Sequence, residues 1–162
     1  MKAIKADKVN PRGMRNVVDG ELGFLQGFEF NTDASLKDTL SVVFTTSIDR
    51  ASGIATVEVP SLVPTETIKA PEGATHYRLV CGASAIDFDT EVYITDIKQS
   101  PYQPWTAAMA PALNLTANVP AASTHPLFLV VGIQFFQEVN GTYYTLKSGE
   151  HNALSLVKVD HS

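Results

Sequence analysis

The sequence predicts an all-β domain, an antiparallel β-sandwich led by a short N-terminal arm or helix. Three observations predict it. Apolar residues recur at every second position in several short runs, which is the period of a half-buried strand. Turn residues separate the runs at Pro60, Pro64, Pro71-Glu72-Gly73, Pro101, Pro104, Pro111 and Pro120, as in proteins built of sheets. No amphipathic helical pattern of about 10–15 residues alternates with the runs, which argues against a parallel α/β sheet. At 162 residues and 44% hydrophobic content, the chain is long enough for one domain with a core and too apolar for disorder.

Residues 1–24 read as an arm or linker, and residues 25–162 as the sandwich. Lys2, Lys5, Lys8, Arg12 and Arg15 make the arm basic, as expected of a solvated terminus. Its opening "MKAIKADKVNPRG" lacks the apolar stretch of a secretory signal, so none is expected in it. Met14, Val17, Val18 and Leu22 recur at roughly helical spacing within 13–25, and Gly20 and Gly23 limit any helix there to two turns. Residues 25–30 are expected to add a first strand.

"SVVFTTSIDRASGIATVEVP" reads as a hairpin. Val42, Phe44 and Ile48 form the apolar face of its first strand, and Ala55, Val57 and Val59 that of its second. A loop over 49–52, with Gly53 left-handed, would pair Phe44 with Val57 and Val42 with Val59. "THYRLVCG" places Tyr77, Leu79 and Cys81 on one face. "EVYITDIK", "ALNLTANV" and the closing "ALSLVKV" complete a set of eight or nine strands.

The most apolar stretch is "LFLVVGIQFFQEVNGTYYTLKSG". Leu127, Leu129, Val131, Ile133 and Phe135 give one wholly apolar face, and Phe128 to Phe136 an opposite face that is only partly so. The run ends far short of the roughly 20 apolar residues of a membrane helix. Asn140-Gly141 then supplies the positive φ angles of a two-residue type I′ turn. Folding about it pairs Val139 with Thr142, Gln137 with Tyr144 and Phe135 with Leu146.

The chemistry written in the chain is sparse. Its formal charge of −5 argues against nucleic acid, whose affinity comes from basic residues on phosphates. No nucleophile elbow, phosphate loop or zinc motif is present, no cofactor is expected, and the chain reads as non-enzymatic. The single cysteine, Cys81, reads as a small buried apolar group. His76, His125, His151 and His161 are scattered. Two candidate sites stand out. Asp87, Asp89 and Glu91 alternate in "DFDTE", so three hard oxygen ligands could serve calcium, or simply guard an exposed turn. Tyr102 and Trp105 lie between prolines in "QSPYQPWTAA", where aromatics stack on sugars, anchor a protein partner or cap a core.

"NPRGMRNVVDGELGFLQGFEFN", "APEGATHYRLV" and "STHPLFLVVGIQFFQEVNGTYYTLKSGEHNALSLVKV" resemble the C-terminal β domain of a family of uncharacterised Bacteroidetes-type proteins. In that family a basic N-terminal region, absent here, precedes the β domain. The resemblance implies a chain that is part of a longer protein, and it supplies no catalytic residue. The strand order also resembles immunoglobulin-like and fibronectin-type sandwiches. The function expected is a structural or assembly module acting through its surfaces on a protein partner or on itself. The alternative is a carbohydrate-binding module that uses Tyr102 and Trp105 on a polysaccharide, assisted by calcium at Asp87, Asp89 and Glu91.

Overall fold

Among the described residues, alternation in the sequence becomes nine strands, and strands hold 44% of the residues against 13% in helix. The structure is a computed structural model that describes residues 2–16 and 20–161. Strands β1 (Thr45–Asp49), β2 (Ile54–Val59) and β6 (Leu113–Asn118) form a small sheet in the order β1-β2-β6. The large sheet runs β4 (Val92–Gln99), β3 (His76–Asp87), β7 (Leu127–Val139) and β8 (Thr142–Thr145). The short β5 (Gln103–Pro104) joins β3 beyond β4, and β9 (Ala153–Asp160) joins β7 in line with β8. Every pairing is antiparallel, and the two sheets pack as a sandwich.

The core lies where the expected faces meet. Leu127, Leu129, Val131, Ile133 and Phe135 are each no more than 1% exposed. They form one cluster with Tyr77, Leu79 and Cys81 of β3, Ala55, Val57 and Val59 of β2, and Leu115 and Ala117 of β6. Each large side chain buried there stabilises the fold by about 1.5–3 kcal/mol relative to exposure. One-turn helices α2 (Leu36–Thr39) and α3 (Pro64–Thr67) lie in the connections that close the side of the sandwich, with Leu36, Leu40, Leu62 and Ile68 in the same cluster.

The β7–β8 hairpin has the expected register, Val139 on Thr142 and Gln137 on Tyr144. Asn140 and Gly141 take φ of 52° and 81°, both in the left-handed region that such a turn requires. The ladder ends at Phe136 and Thr145, one pair before the expected Phe135–Leu146. Leu146 instead opens a 3-10 turn, Leu146–Gly149, and packs against the core.

The β1–β2 hairpin has the expected faces but a register shifted by two. Thr46, not Phe44, opposes Val57, and Ile48 opposes Ala55. A two-residue slip leaves every side chain on its own face, so the apolar pattern is blind to it. The turn decides instead. Asp49 pairs with Ile54, and its carboxylate accepts from the Ala51 amide and the Ser52 hydroxyl, which moves the loop to 50–53. Gly53 has φ of 74°, and a Cβ there would lie 2.1 Å from the Val119 carbonyl oxygen.

The N-terminal segment departs most from expectation. The helix expected over 13–25 is replaced by α1 (Lys2–Ala6) and a 3-10 turn, Leu22–Leu25; Val17 and Val18 lie outside the described residues. Asp7 is the physical reason. Its buried carboxylate accepts hydrogen bonds from the amides of Val9, Asn10 and Asn16 and from the Asn10 side chain, folding the chain into a loop. Burial opposes the charge on Asp7, but these bonds outweigh it and hold the carboxyl at about 2. Residues 25–30 make no full strand; they give a single bridge, Glu29 to Ser155, on the outer edge of β9.

Candidate functional site

The outer face of the large sheet has two ends. At one end Leu22 and Leu25 lie over Phe128, Val130, Leu156 and Val159 in a second, small apolar cluster. At the other, no such cover lies among the described residues, and the rings pack on one another. Registers that pair His76 with Phe136, Arg78 with Gln134 and Glu138 with Tyr143 bring these side chains to one face. Tyr102 stacks on Tyr143, with centroids 3.9 Å apart and planes at 10°, and meets Phe136 edge-on at 4.8 Å. His76 meets Tyr143 edge-on at 5.0 Å. The Arg78 guanidinium lies 5.4 Å from the Tyr102 ring centre and 5.0 Å from that of Phe136, within cation–π range. Arg78 is held there by the Gln134 side chain at 2.7 Å.

The structure separates the two aromatic candidates. Tyr102 belongs to this outer patch. Trp105 packs against the main core, and its indole N–H donates to the Ile68 carbonyl at 3.1 Å. The Trp105 amide also donates to Thr75, fixing the loop at both levels. Arg78, Phe136 and Tyr143 were the missed partners of Tyr102, with His76 beside Tyr143. Three of them sit at alternate positions of β3 and β7, which the strand period could have paired once the sheet order was known.

The acidic candidates do not converge. Asp87 turns back on its own hairpin, taking the Thr90 hydroxyl at 2.6 Å and the amides of Asp89 and Thr90. The Thr90 hydroxyl bond does most to hold its carboxyl below the usual range, with burial opposing. Asp89 and Glu91 are exposed on the same turn, Glu91 at a φ of 59°. Among the described residues no three His, Cys, Asp or Glu side chains are grouped to hold a metal. Cys81 is fully buried, and burial, then the Asp96 charge, push its thiol up to about 11, so it is a poor nucleophile at neutral pH.

The remaining feature is a sheet edge that no motif in the sequence marks. β4 is the end strand of the large sheet, and seven of its eight residues are exposed. Val92, Tyr93, Ile94 and Ile97 are each more than half exposed. On its inner side Val92 and Ile94 line a groove of about 460 Å³ against Pro120, Ala122 and His125. That groove opens because β6 ends at Asn118, whose amide donates to the Asp96 carboxylate at 2.8 Å. The Asn118 amide, then Lys98, hold Asp96 below the usual carboxylate range.

Among the described residues no helix is long and apolar enough to cross a membrane. The chain matches no family model, no curated protein and no solved structure.

Proposed function

We propose that the chain is a non-enzymatic interaction module that binds a protein partner through the edge of its large sheet. The observation that carries this reading is β4, an eight-residue end strand with four large apolar side chains more than half exposed. Such an edge offers unpaired backbone donors and acceptors to an added strand, and soluble proteins normally shorten, bend or charge it. The sugar-binding alternative is less well supported. Tyr102 and Tyr143 each spend a ring face on the other, and Trp105 faces the core, so Tyr102 and Trp105 do not form one platform for a sugar.

The test is a photoreactive phenylalanine derivative placed at Tyr93 in cells that make the protein, with the exposed Thr116 as control. The reading predicts a protein adduct at position 93 and none at 116. No adduct at 93, together with polysaccharide binding that Tyr102→Ala abolishes, would replace it with the carbohydrate reading.

A further inference from the structure

We infer that the partner of β4 is a second copy of this chain, joined antiparallel over residues 92–98 about a two-fold axis at Thr95. The inference rests on the reading of β4 as a binding edge and names its occupant. In antiparallel pairing, directly opposed residues share a face. With the axis at Thr95, Tyr93 opposes Ile97 of the second copy, Thr95 opposes Thr95, and Ile97 opposes Tyr93. All are on the outer face, where aromatic–β-branched and Thr–Thr pairs are stabilising. Val92 and Ile94 fall inside the same ladder, against the Lys98 stem and Asp96.

Neighbouring axes do worse. An axis at Asp96 sets two carboxylates against each other. An axis at Ile94 places Ile97 against Glu91, and an axis at Ile97 leaves Tyr93 against Pro101, past the end of β4. Of these four axes, only the one at Thr95 pairs Tyr93 with Ile97 on the outer face, with Ile94 beside Asp96 on the inner.

Charge does not oppose it. The chain carries −5 overall, but Asp96 and Lys98 are the only charged residues of β4 and are ion-paired at 3.0 Å. Lys98, the residue type that most often guards an edge, is thus neutralised within its own strand. Closure at two copies follows from the far edge. There, residues 27–30 occupy β9 through bonds from Gly27 to Leu156, Leu156 to Phe28 and Phe30 to Leu154, and β8 is only four residues long. An isologous pair of bare edges then gives a dimer and not a fibre.

A ladder of this size is small for a stable interface, so the dissociation constant is expected on the order of 10 μM. Sedimentation equilibrium of the whole chain measures it. Tyr93→Lys and Ile97→Glu, both at exposed positions, should each weaken the dimer at least about tenfold through the two lost pairs. An equal mixture of the two should regain the dimer, because the mixed pair keeps one Tyr93–Ile97 contact and gains one Lys–Glu contact. A wild-type chain that stays monomeric at about 200 μM, well above the expected constant, would overturn the inference. So would a mixture no tighter than either variant alone. If the wild type is monomeric but the position-93 probe captures a different protein in cells, the interaction module stands and the second copy falls. If neither associates, both fall.

Discussion

The two edges of the large sheet are built from the same chain and treated in opposite ways. The β9 edge carries residues 27–30 on three backbone hydrogen bonds, with Leu22 and Leu25 folded over the neighbouring outer face. The β4 edge has no backbone partner on its free side among the described residues, and its apolar side chains stand in solvent. Length does not explain the difference, since both strands have eight residues. The N-terminal segment reaches one edge only. It is shaped to do so by Asp7, which closes the loop between α1 and Asn16, and by Gly20, where a Cβ would strike the Ala3 carbonyl oxygen at 2.1 Å. The proposed partner binding starts from this contrast between a covered and a bare edge.

The largest effect is expected midway between the two edges. Ile133, fully buried in β7 between the two edges, should cost about 2–5 kcal/mol when changed to Ala. A denaturant melt with an unchanged slope and a lower midpoint would report it. Leu22→Ala should lie nearer the lower limit, about 2 kcal/mol, because it empties the smaller cluster over the covered edge. A melt showing no loss would mean that the segment merely rests on the sheet.

Trp105→Phe should cost about 1 kcal/mol, the net value of the bond to Ile68, with little change in core packing. Native tryptophan emission should be blue-shifted and protected from quenchers, as its packing against the core requires. An emission that shifts on adding polysaccharide would return Trp105 to the list of binding residues.

These residues also show what the sequence could and could not tell. Strand faces were legible, because a period of two is written directly in residues such as Leu129, Val131 and Ile133. The Asn140-Gly141 turn was legible for the same local reason. The register of β1 on β2 was not, since a slip by two conserves the faces and the Asp49 turn chooses between them. The aromatic patch was legible only through Tyr102. Its partners Arg78, Phe136 and Tyr143 come from strands whose order depends on long-range pairing. The bare edge was hidden more deeply still, since "VYITDIKQ" reads equally well as an interior strand. The helix expected at 13–25 followed a real apolar spacing, but four hydrogen bonds to the Asp7 carboxylate outweighed it.

Acid should act on the covered edge through Asp7. The Asp7 carboxyl is lowered from 3.8 to about 2, so its contribution is present above pH about 4 and is lost as pH falls through about 2. Amide resonances of Val9, Asn10 and Asn16 should therefore shift within that window. A loop that opens near pH 5 would mean that Asp7 does not hold it.

The smallest expected effect on the fold lies at the bare edge. Tyr93→Ser should change monomer stability by no more than about 0.5 kcal/mol, as for an ordinary surface position. A large loss would show that Tyr93 already has a partner within its own chain.

Oxidation of a Thr95→Cys variant tests the self-pairing edge most directly. With the axis at Thr95, the two introduced thiols lie opposite each other on adjoining strands, within the roughly 7 Å between Cα atoms that a disulfide spans. Thiols introduced by Ile97→Cys would be about 13 Å apart along the same pairing, and buried Cys81 would not compete. An axis at Thr95 predicts a covalent dimer that forms readily with Thr95→Cys and scarcely with Ile97→Cys. Equal yields from the two, or monomer from both, would contradict it.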